Sequence, residues 1–102
     1  MAVVVTAVFR PAPGRHDELV EALRSTIPAV HEEQGCLLYA IHDADDGTIT
    51  MIEKWESAAD LEAHASGTAV KPLQAATAEL LAEPVRVVTM EPIPVGGSAG
   101  SL

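Results

Sequence analysis

The sequence contains very few residues of several kinds, and each shortage excludes a class of function. Only six of its 102 residues are Lys or Arg, against fifteen Asp or Glu, which gives a formal net charge of -9. Nucleic-acid binding depends on cations that neutralise phosphates, and an anionic membrane surface attracts cations in the same way. We therefore expect neither a nucleic acid nor a membrane among the partners of this chain.

A single cysteine, Cys36, excludes an intrachain disulfide. Its neighbours Leu37 and Leu38 favour a buried, inert thiol over a nucleophile. No apolar run approaches the roughly 20 residues of a membrane-spanning helix. The first residues lack the basic region and the cleavage pattern of a signal peptide. Together these features predict a cytoplasmic protein.

Aromatic residues are scarce as well, at 3% of the chain, although 48% of the residues are apolar. Val, Leu, Ile and Ala must therefore form the core. A chain of 102 residues has the length of one domain. Residues 94–102 are small and rich in Gly, which predicts a flexible C-terminal tail and leaves residues 1–93 as the domain.

Hydrophobic periodicity predicts strands and helices in alternation. We predict strands at 2–10, 36–43, 48–55 and 85–90, and helices at 15–33, 58–66 and 72–82. Pro28 lies inside the first helix and predicts a kink or a local break there. This order is typical of a ferredoxin-like α+β fold, in which helices cover one face of a four-stranded antiparallel sheet.

The first predicted strand is apolar on both of its faces. Val3, Val5 and Ala7 point to one side, whereas Val4 and Val8 point to the other. A sheet with helices on one side only should alternate apolar and polar residues. Because a second copy of the same sheet could cover the other face, we predict a homodimer with two-fold symmetry.

The Asp-Gly pair at positions 46 and 47 predicts a two-residue hairpin loop, since Gly tolerates the positive φ of a tight turn. Residues whose numbers sum to 93 would then pair. In that register His42, Glu53 and Trp55 share one face of the hairpin, and Tyr39 lies on the other. A loop of three residues would reverse the placement of His42 and Tyr39.

Three residues are candidates for a functional site: Glu53 and Trp55 in the predicted strand at 48–55, and His64 in the predicted helix at 58–66. A Glu inside an apolar strand is costly to bury unless it is paired or protonated. His64 would share with Leu61 the face of its helix that turns towards the sheet. A purely structural role stays open for each residue. A buried Glu can be paired with a nearby Lys, Arg or backbone group, and a His or Trp can pack in the core.

The chain offers no recognisable metal or cofactor site. His31-Glu32-Glu33-Gln34 lacks the second His of a zinc-binding HExxH motif. Residues 42–53 have the length of a calcium loop, but His42 and Ala44 occupy positions that require oxygen ligands. There is no Gly-rich phosphate loop, and the single Cys forms no cluster with His.

Three segments resemble the antibiotic biosynthesis monooxygenase family, especially its small quinol-monooxygenase-like members. They are EQGCLLY at 33–39, MIEKWES at 51–57 and LEAH at 61–64. The resemblance implies a dimeric α+β barrel in which two ferredoxin-like subunits pack sheet to sheet. It also implies a monooxygenase that uses O2 without metal, flavin or haem and oxidises an electron-rich phenolic, quinol or polyketide-like molecule.

The resemblance further implies roles for the candidate residues. His64 would be the base or proton shuttle, and Glu53 its partner or an acceptor for a substrate hydroxyl. Trp55 would be a wall of the pocket, with His42 and Tyr39 as further substrate-binding candidates. Haem-degrading relatives carry a His on the later helix and an Asn on the first strand, and this sequence has neither.

Two other functions stay open at this point. One is an isomerase or similar enzyme for a small phosphorylated signalling metabolite, for which the only candidate phosphate ligands would be Arg10, Arg15, Lys71 and Arg86. The other is a dimer that binds a small apolar ligand without catalysis, because a fold alone does not define a function. The sequence does not define the substrate.

Overall fold

The chain alternates strands and helices in the predicted order, as seen in a computed structural model that describes residues 1–102. The strands are β1 (Val3–Phe9), β2 (Cys36–Asp43), β3 (Ile49–Trp55) and β4 (Arg86–Met90), and the helices are α1 (His16–His31), α2 (Ala58–Ser66) and α3 (Val70–Thr77). The strands form one antiparallel sheet in the order β2-β3-β1-β4. The predicted ferredoxin-like α+β fold is confirmed.

The core lies between the helices and one face of the sheet. On β1 that face carries Val3, Val5, Ala7 and Phe9, all of which are buried. α1 contributes four buried residues at steps of three and four, which is the spacing of one helical face: Leu19, Leu23, Ile27 and Val30. This periodicity explains why α1 forms against the sheet.

Two helices differ from their predicted form. α1 runs without interruption through Pro28, so the predicted local break is wrong. α3 begins at Val70, which places Pro72 in the first turn, where the amide that proline lacks has no partner within the helix. α3 also ends earlier than predicted, at Thr77, and a 3-10 turn over Ala78–Leu80 follows it.

The hairpin between β2 and β3 has a three-residue loop, so the predicted two-residue loop is wrong. The amide of Ala44 donates to the carbonyl of Thr48 (3.0 Å), which closes the loop around Asp45, Asp46 and Gly47. Gly47 has a φ of +86°, which supplies the left-handed residue of this longer turn. The one-residue change in loop length moves the side chains of residues 38–43 to the face opposite the predicted one, and a bulge between Cys36 and Leu38 leaves Cys36 on the face of Trp55.

The helix-free face of the sheet is partly apolar. The strand pairings place five apolar residues on β1, β3 and β4 of this face, Val4, Val8, Ile52, Val88 and Met90, together with Thr6, Thr50, Lys54 and Arg86. Val88 and Met90 are 43% and 39% exposed. The apolar character predicted for this face is present, and the homodimer that it suggests stays a prediction.

The last residues contain one more short element, a 3-10 turn over Ser98–Gly100. The Lys54 ammonium donates to the carbonyl of Leu102 at 2.6 Å, which brings the segment against the sheet. The flexibility predicted for residues 94–102 stays a prediction. None of the helices is long and apolar enough to span a lipid bilayer.

Candidate functional site

His64 is held on α2, directly above the end of β3. The helix begins after Ser57, whose hydroxyl accepts a hydrogen bond from the amide of Asp60 (3.1 Å). This cap satisfies one of the free amides of the first turn and fixes where the helix starts. His64 then lies in the last turn and is only 6% exposed. The predicted orientation of His64 and Leu61 towards the sheet is therefore observed, since both line the same cavity.

The partner of His64 is Glu33, so the role of partner that the resemblance implied for Glu53 is wrong, whereas its alternative role as an acceptor for a substrate hydroxyl stays a prediction. Glu33 Oε1 lies 2.6 Å from His64 Nδ1, and both side chains are shielded from solvent, Glu33 less completely. A carboxylate at Nδ1 favours the tautomer that carries its proton there. Nε2 is then left as an acceptor, and no protein group is hydrogen-bonded to it. This arrangement gives a neutral His64 one free basic nitrogen.

Two aromatic rings fix the plane of the His64 imidazole. Trp55 stacks on it with ring centroids 4.6 Å apart and an interplanar angle of 29°. Tyr39 meets it edge-on at 5.4 Å. Trp55 is completely buried behind His64 and does not line the cavity, so its predicted role as a pocket wall is replaced by support of His64 from behind.

Glu53 is buried on the same face of β3 as Trp55 and is 6% exposed. The indole Nε1 of Trp55 donates to Glu53 Oε1 at 3.0 Å, so the carboxyl group has a neutral hydrogen-bond donor rather than a cation. Burial raises the pKa of Glu53 above its ordinary value, while the Trp55 hydrogen bond and nearby His64 oppose that shift. A carboxyl group of this kind can exchange hydrogen bonds with a ligand.

A cavity of about 330 Å³ lies between these residues, α3 and β4. Most of its lining is apolar, and the polar side chains among the lining residues are Tyr39, Glu53, His64, Gln74, Thr77 and Thr89. An apolar cavity with a few convergent polar groups is the usual form of a small-molecule site. His64 and Glu53 thus line the same cavity.

The three-residue hairpin loop determines which of the two residues Tyr39 and His42 lines the cavity. Tyr39 pairs with Glu53 across the strands and lines the cavity. His42 lies on the other face of β2, exposed, with its Nδ1 3.1 Å from the carbonyl of Thr50. Tyr39 is thus brought into the site and His42 is excluded from it.

Tyr39 is a hydrogen-bond donor in this setting. Burial raises the pKa of its hydroxyl, and nearby Glu53 raises it further. The phenol therefore stays protonated at physiological pH. No protein group is hydrogen-bonded to that hydroxyl. A ligand in the cavity can accept a hydrogen bond from it.

Sequence reasoning missed Glu33 and the polar residues of α3 and β4. Glu33 lies 31 positions before His64, and no local pattern connects two residues so far apart. Gln74 and Thr77 are three positions apart on α3, next to buried Leu73, so their spacing was the one available signal. The structure adds Glu33, Gln74, Thr77 and Thr89 to the candidate site.

A larger groove of about 470 Å³ lies between α1 and the outer edge of β2. Its lining includes Arg24, His31 and His42, but neither Glu53 nor His64. We place the functional site in the smaller cavity because only there do buried ionisable groups converge. No three side chains of His, Cys, Asp or Glu are grouped so that they could hold a metal ion.

Comparison with known families matches residues 2–76 to antibiotic biosynthesis monooxygenases. This span includes Glu33, Glu53 and His64. The chain belongs to the antibiotic biosynthesis monooxygenase family. The resemblance read from the sequence is confirmed by this match. Thr77 and the whole of β4 lie beyond the matched residues, so one side of the cavity is built from a part of the chain outside the match.

Individual relatives agree with this membership. "Probable quinol monooxygenase YgiN" of Escherichia coli K12 is 38% identical over 72 residues, which cover 59% of this chain and 69% of that protein. The structure of Rv0793 from Mycobacterium tuberculosis is 28% identical, with a TM-score of 0.85, and covers 95% of this chain and 100% of that one. Protein SO0527 from Shewanella oneidensis is also 28% identical, with a TM-score of 0.77 and coverages of 87% and 88%.

Proposed function

We propose that this member of the antibiotic biosynthesis monooxygenase family is a cofactor-independent monooxygenase. It oxidises an electron-rich phenol, quinol or polyketide-like molecule with O2 as co-substrate, and His64 is the general base. The observation that carries the proposal is the Glu33–His64 pair, 2.6 Å apart, at the wall of an apolar cavity. The likeness to a protein named as a quinol monooxygenase supports the same choice of substrate class.

The first step is deprotonation of a substrate hydroxyl by His64 Nε2. Glu33 holds the other ring nitrogen and stabilises the imidazolium that forms, because a carboxylate next to a cation lowers its energy. The phenolate then transfers one electron to O2, which reacts poorly with closed-shell molecules until such a donor is present. The apolar lining limits the access of water to the intermediates.

The overall reaction balances without an external reductant. For a quinol, one ring C–H becomes C–OH and the ring is oxidised to a quinone. One atom of O2 enters the product, and the other leaves as water. The substrate therefore supplies all four electrons, and no step needs a metal, a flavin or haem.

Glu53 and Tyr39 bind the substrate in this account. Glu53 accepts a hydrogen bond from a second hydroxyl, which pushes electron density into the ring and makes electron transfer easier. Tyr39 donates a hydrogen bond to a substrate oxygen from its protonated hydroxyl. Trp55 acts through His64 and Glu53, since it contacts both and does not reach the cavity.

The lining of the cavity disfavours a phosphorylated substrate. No Lys or Arg is among the lining residues, whereas a phosphate requires cationic or amide donors. Two of the basic residues considered from the sequence, Arg10 and Arg15, are instead close to Glu83 and Glu18 on the surface. A ligand that binds in the cavity without oxygen uptake would indicate a binding protein rather than an enzyme.

We also propose that two chains form a homodimer through the helix-free face of the sheet. The exposed apolar side chains of Val88 and Met90, next to Ile52 on the same face, support that choice because grouped apolar side chains at the surface mark an interaction surface. Light scattering at micromolar concentration should give about twice the 10.7 kDa chain mass. A stable species at the chain mass would overturn the dimer.

Oxygen uptake tests the monooxygenase directly. Chelator-treated protein would be mixed with hydroquinones, dihydroxynaphthalenes and anthrones in an oxygen electrode, without added cofactor. We expect uptake with at least one of these substrates, and a loss of about 10²–10⁴-fold in the His64→Ala variant. Absence of uptake with every substrate, or uptake that His64→Ala leaves unchanged, would overturn the proposal.

A further inference from the structure

Glu53 is the one acidic residue among those that line the cavity, and none of the lining residues is Lys or Arg. Three of the six basic residues are close to surface carboxylates: Arg10 to Glu83, Arg15 to Glu18 and Arg24 to Glu21. No Lys or Arg forms an ion pair with Glu53, whose partner is the neutral indole of Trp55. The cavity thus contains a carboxyl group and no permanent cation.

His64, the one lining residue that could carry a positive charge, does not change this balance. Glu33 already occupies its Nδ1, so a protonated His64 would be neutralised by a carboxylate of the protein. An anionic group on a ligand would lose its hydration on entry and find no cation free to replace it. It would also meet the Glu53 carboxyl, which repels it when ionised.

The strand pairings place the polar and apolar parts of the cavity floor in separate rows. Tyr39, Glu53 and Thr89 fall in one row across the sheet, with Val5 between the last two. The next row is Met51, Ala7 and Val87, and it begins about 7 Å further along the strands. A ligand can therefore place its oxygens over the first row and an apolar body over the second.

We propose that Glu53 is a specificity-determining residue that restricts this cavity to aromatic molecules whose substituents carry no negative charge. The inference rests on the proposed function for the aromatic class of ligand and adds the charge that the site rejects. It follows from the position of Glu53 between Tyr39 and Thr89 in the first row and from the absence of Lys and Arg among the residues that line the cavity. Phenols and quinols with apolar substituents fit the cavity, whereas their carboxylated or sulfonated counterparts do not.

Binding of a matched pair of ligands tests this inference without any oxidation. The probes are methyl 6-hydroxy-2-naphthoate and 6-hydroxy-2-naphthoate, which share the ring system and the phenol and differ in one negative charge. Affinities would be measured by calorimetry at pH 7.5 with anaerobic protein. For the native protein we expect the ester to bind at least about tenfold more tightly than the acid, which corresponds to about 1.4 kcal/mol.

Two variants separate Glu53 from the general charge of the protein. Glu53→Gln keeps the acceptor for Trp55 and removes the carboxylate, so we expect the preference for the ester to shrink at least threefold. Glu62→Gln removes the same charge from the exposed side of α2 and should leave the preference unchanged. A thermal unfolding curve for each variant confirms that it is folded.

Three results would overturn the inference. They are equal binding of acid and ester to the native protein, an identical preference in Glu53→Gln and Glu62→Gln, and no binding of either probe at millimolar concentration. Because no turnover is measured, a failed oxygen-uptake experiment with an intact ester preference would overturn the proposed reaction and leave this inference standing.

Discussion

Glu33 Oε1 lies 2.6 Å from His64 Nδ1, although 31 positions of the chain separate the two residues. The contact joins the segment that follows α1 to the last turn of α2. Trp55 stacks on the face of the same imidazole ring. One carboxylate and one indole therefore fix the orientation of His64 before any ligand enters the cavity.

Replacing Glu33 with Gln tests whether this contact has a chemical role. Gln can still hydrogen-bond to Nδ1, but it cannot stabilise the imidazolium formed during proton transfer. Because general-base catalysis contributes about 10²–10⁴-fold, we expect kcat to fall at least about tenfold with a smaller change in KM. Steady-state oxygen uptake would measure both parameters.

The neighbouring exposed residue provides the control. Glu32→Gln removes the same charge one position earlier in the chain and should leave kcat within twofold of the native value. If Glu33→Gln and Glu32→Gln have the same small effect, then Glu33 is not a positioning residue for His64.

Gly35 shapes the turn that carries Glu33 to His64. Its φ is +79°, and a Cβ at this position would collide with the Asp60 side chain on α2. Gly14 has a similar φ of +76° with open space around it. We expect Gly14→Ala to cost about 1–2 kcal/mol of unfolding free energy from backbone strain alone. Gly35→Ala should cost about 1–3 kcal/mol more, because the collision adds to the strain.

Urea denaturation of the two glycine variants measures this difference. The comparison isolates the contact with α2, since the backbone conformations are nearly the same. Equal costs for the two substitutions would show that α2 moves away freely and that Gly35 does not fix the position of His64.

The buried carboxyl of Glu53 should make stability depend on pH. Burial raises its pKa above the ordinary value of 4.5, so the folded state holds this proton more tightly than the unfolded chain does. The resulting stabilisation is complete below the unfolded-state pKa and is lost as pH rises through the folded-state pKa. Glu53→Gln should therefore become more stable relative to the native protein as pH increases from 4 to 8.

Thermal unfolding across this pH range gives the measurement, with Glu56→Gln as the exposed control. We expect the Tm of Glu53→Gln minus the Tm of the native protein to rise with pH, and the same difference for Glu56→Gln to stay constant. A pH-independent difference for both variants would mean that burial does not shift the pKa of Glu53. A difference that rises with pH would indicate that the carboxyl group is retained for its function at some cost in stability.

Adjacent residues of β4 test the proposed dimer. Val88 lies on the helix-free face, whereas Val87 lies on the cavity face and is 59% exposed. Because a buried Lys cannot be accommodated in an apolar interface without a partner, Val88→Lys should give a monomer at micromolar concentration. Val87→Lys should remain a dimer. Light scattering that shows the same mass for both variants would place the interface elsewhere.

Much of the fold could be predicted from the sequence, because strands and helices follow from local hydrophobic periodicity. The predicted and observed bounds of α2 agree, because Ser57 caps its beginning and Gly67 follows its end. The hairpin register was wrong because the Asp-Gly pair fits loops of two or three residues, and local sequence does not distinguish them. That one residue moved Tyr39 into the site and His42 out of it.

The candidate site was predicted only in part. Glu53, Trp55 and His64 were identified because each is an unusual residue for its position in a strand or helix. Their mutual contacts could not be predicted: Trp55 supports His64 and Glu53 from behind, and Glu33 replaces Glu53 as the partner of His64. Such contacts depend on how α2 and the end of α1 pack over the sheet.

The fate of the two oxygen atoms tests the proposed reaction most directly. A dihydroxynaphthalene that supports oxygen uptake would be oxidised under 18O2, and the product analysed by mass spectrometry. We predict one 18O atom in each product molecule, one O2 consumed per substrate, no hydrogen peroxide, and loss of this incorporation in His64→Ala. A product without 18O, or hydrogen peroxide formed in proportion to the substrate, would contradict the monooxygenase.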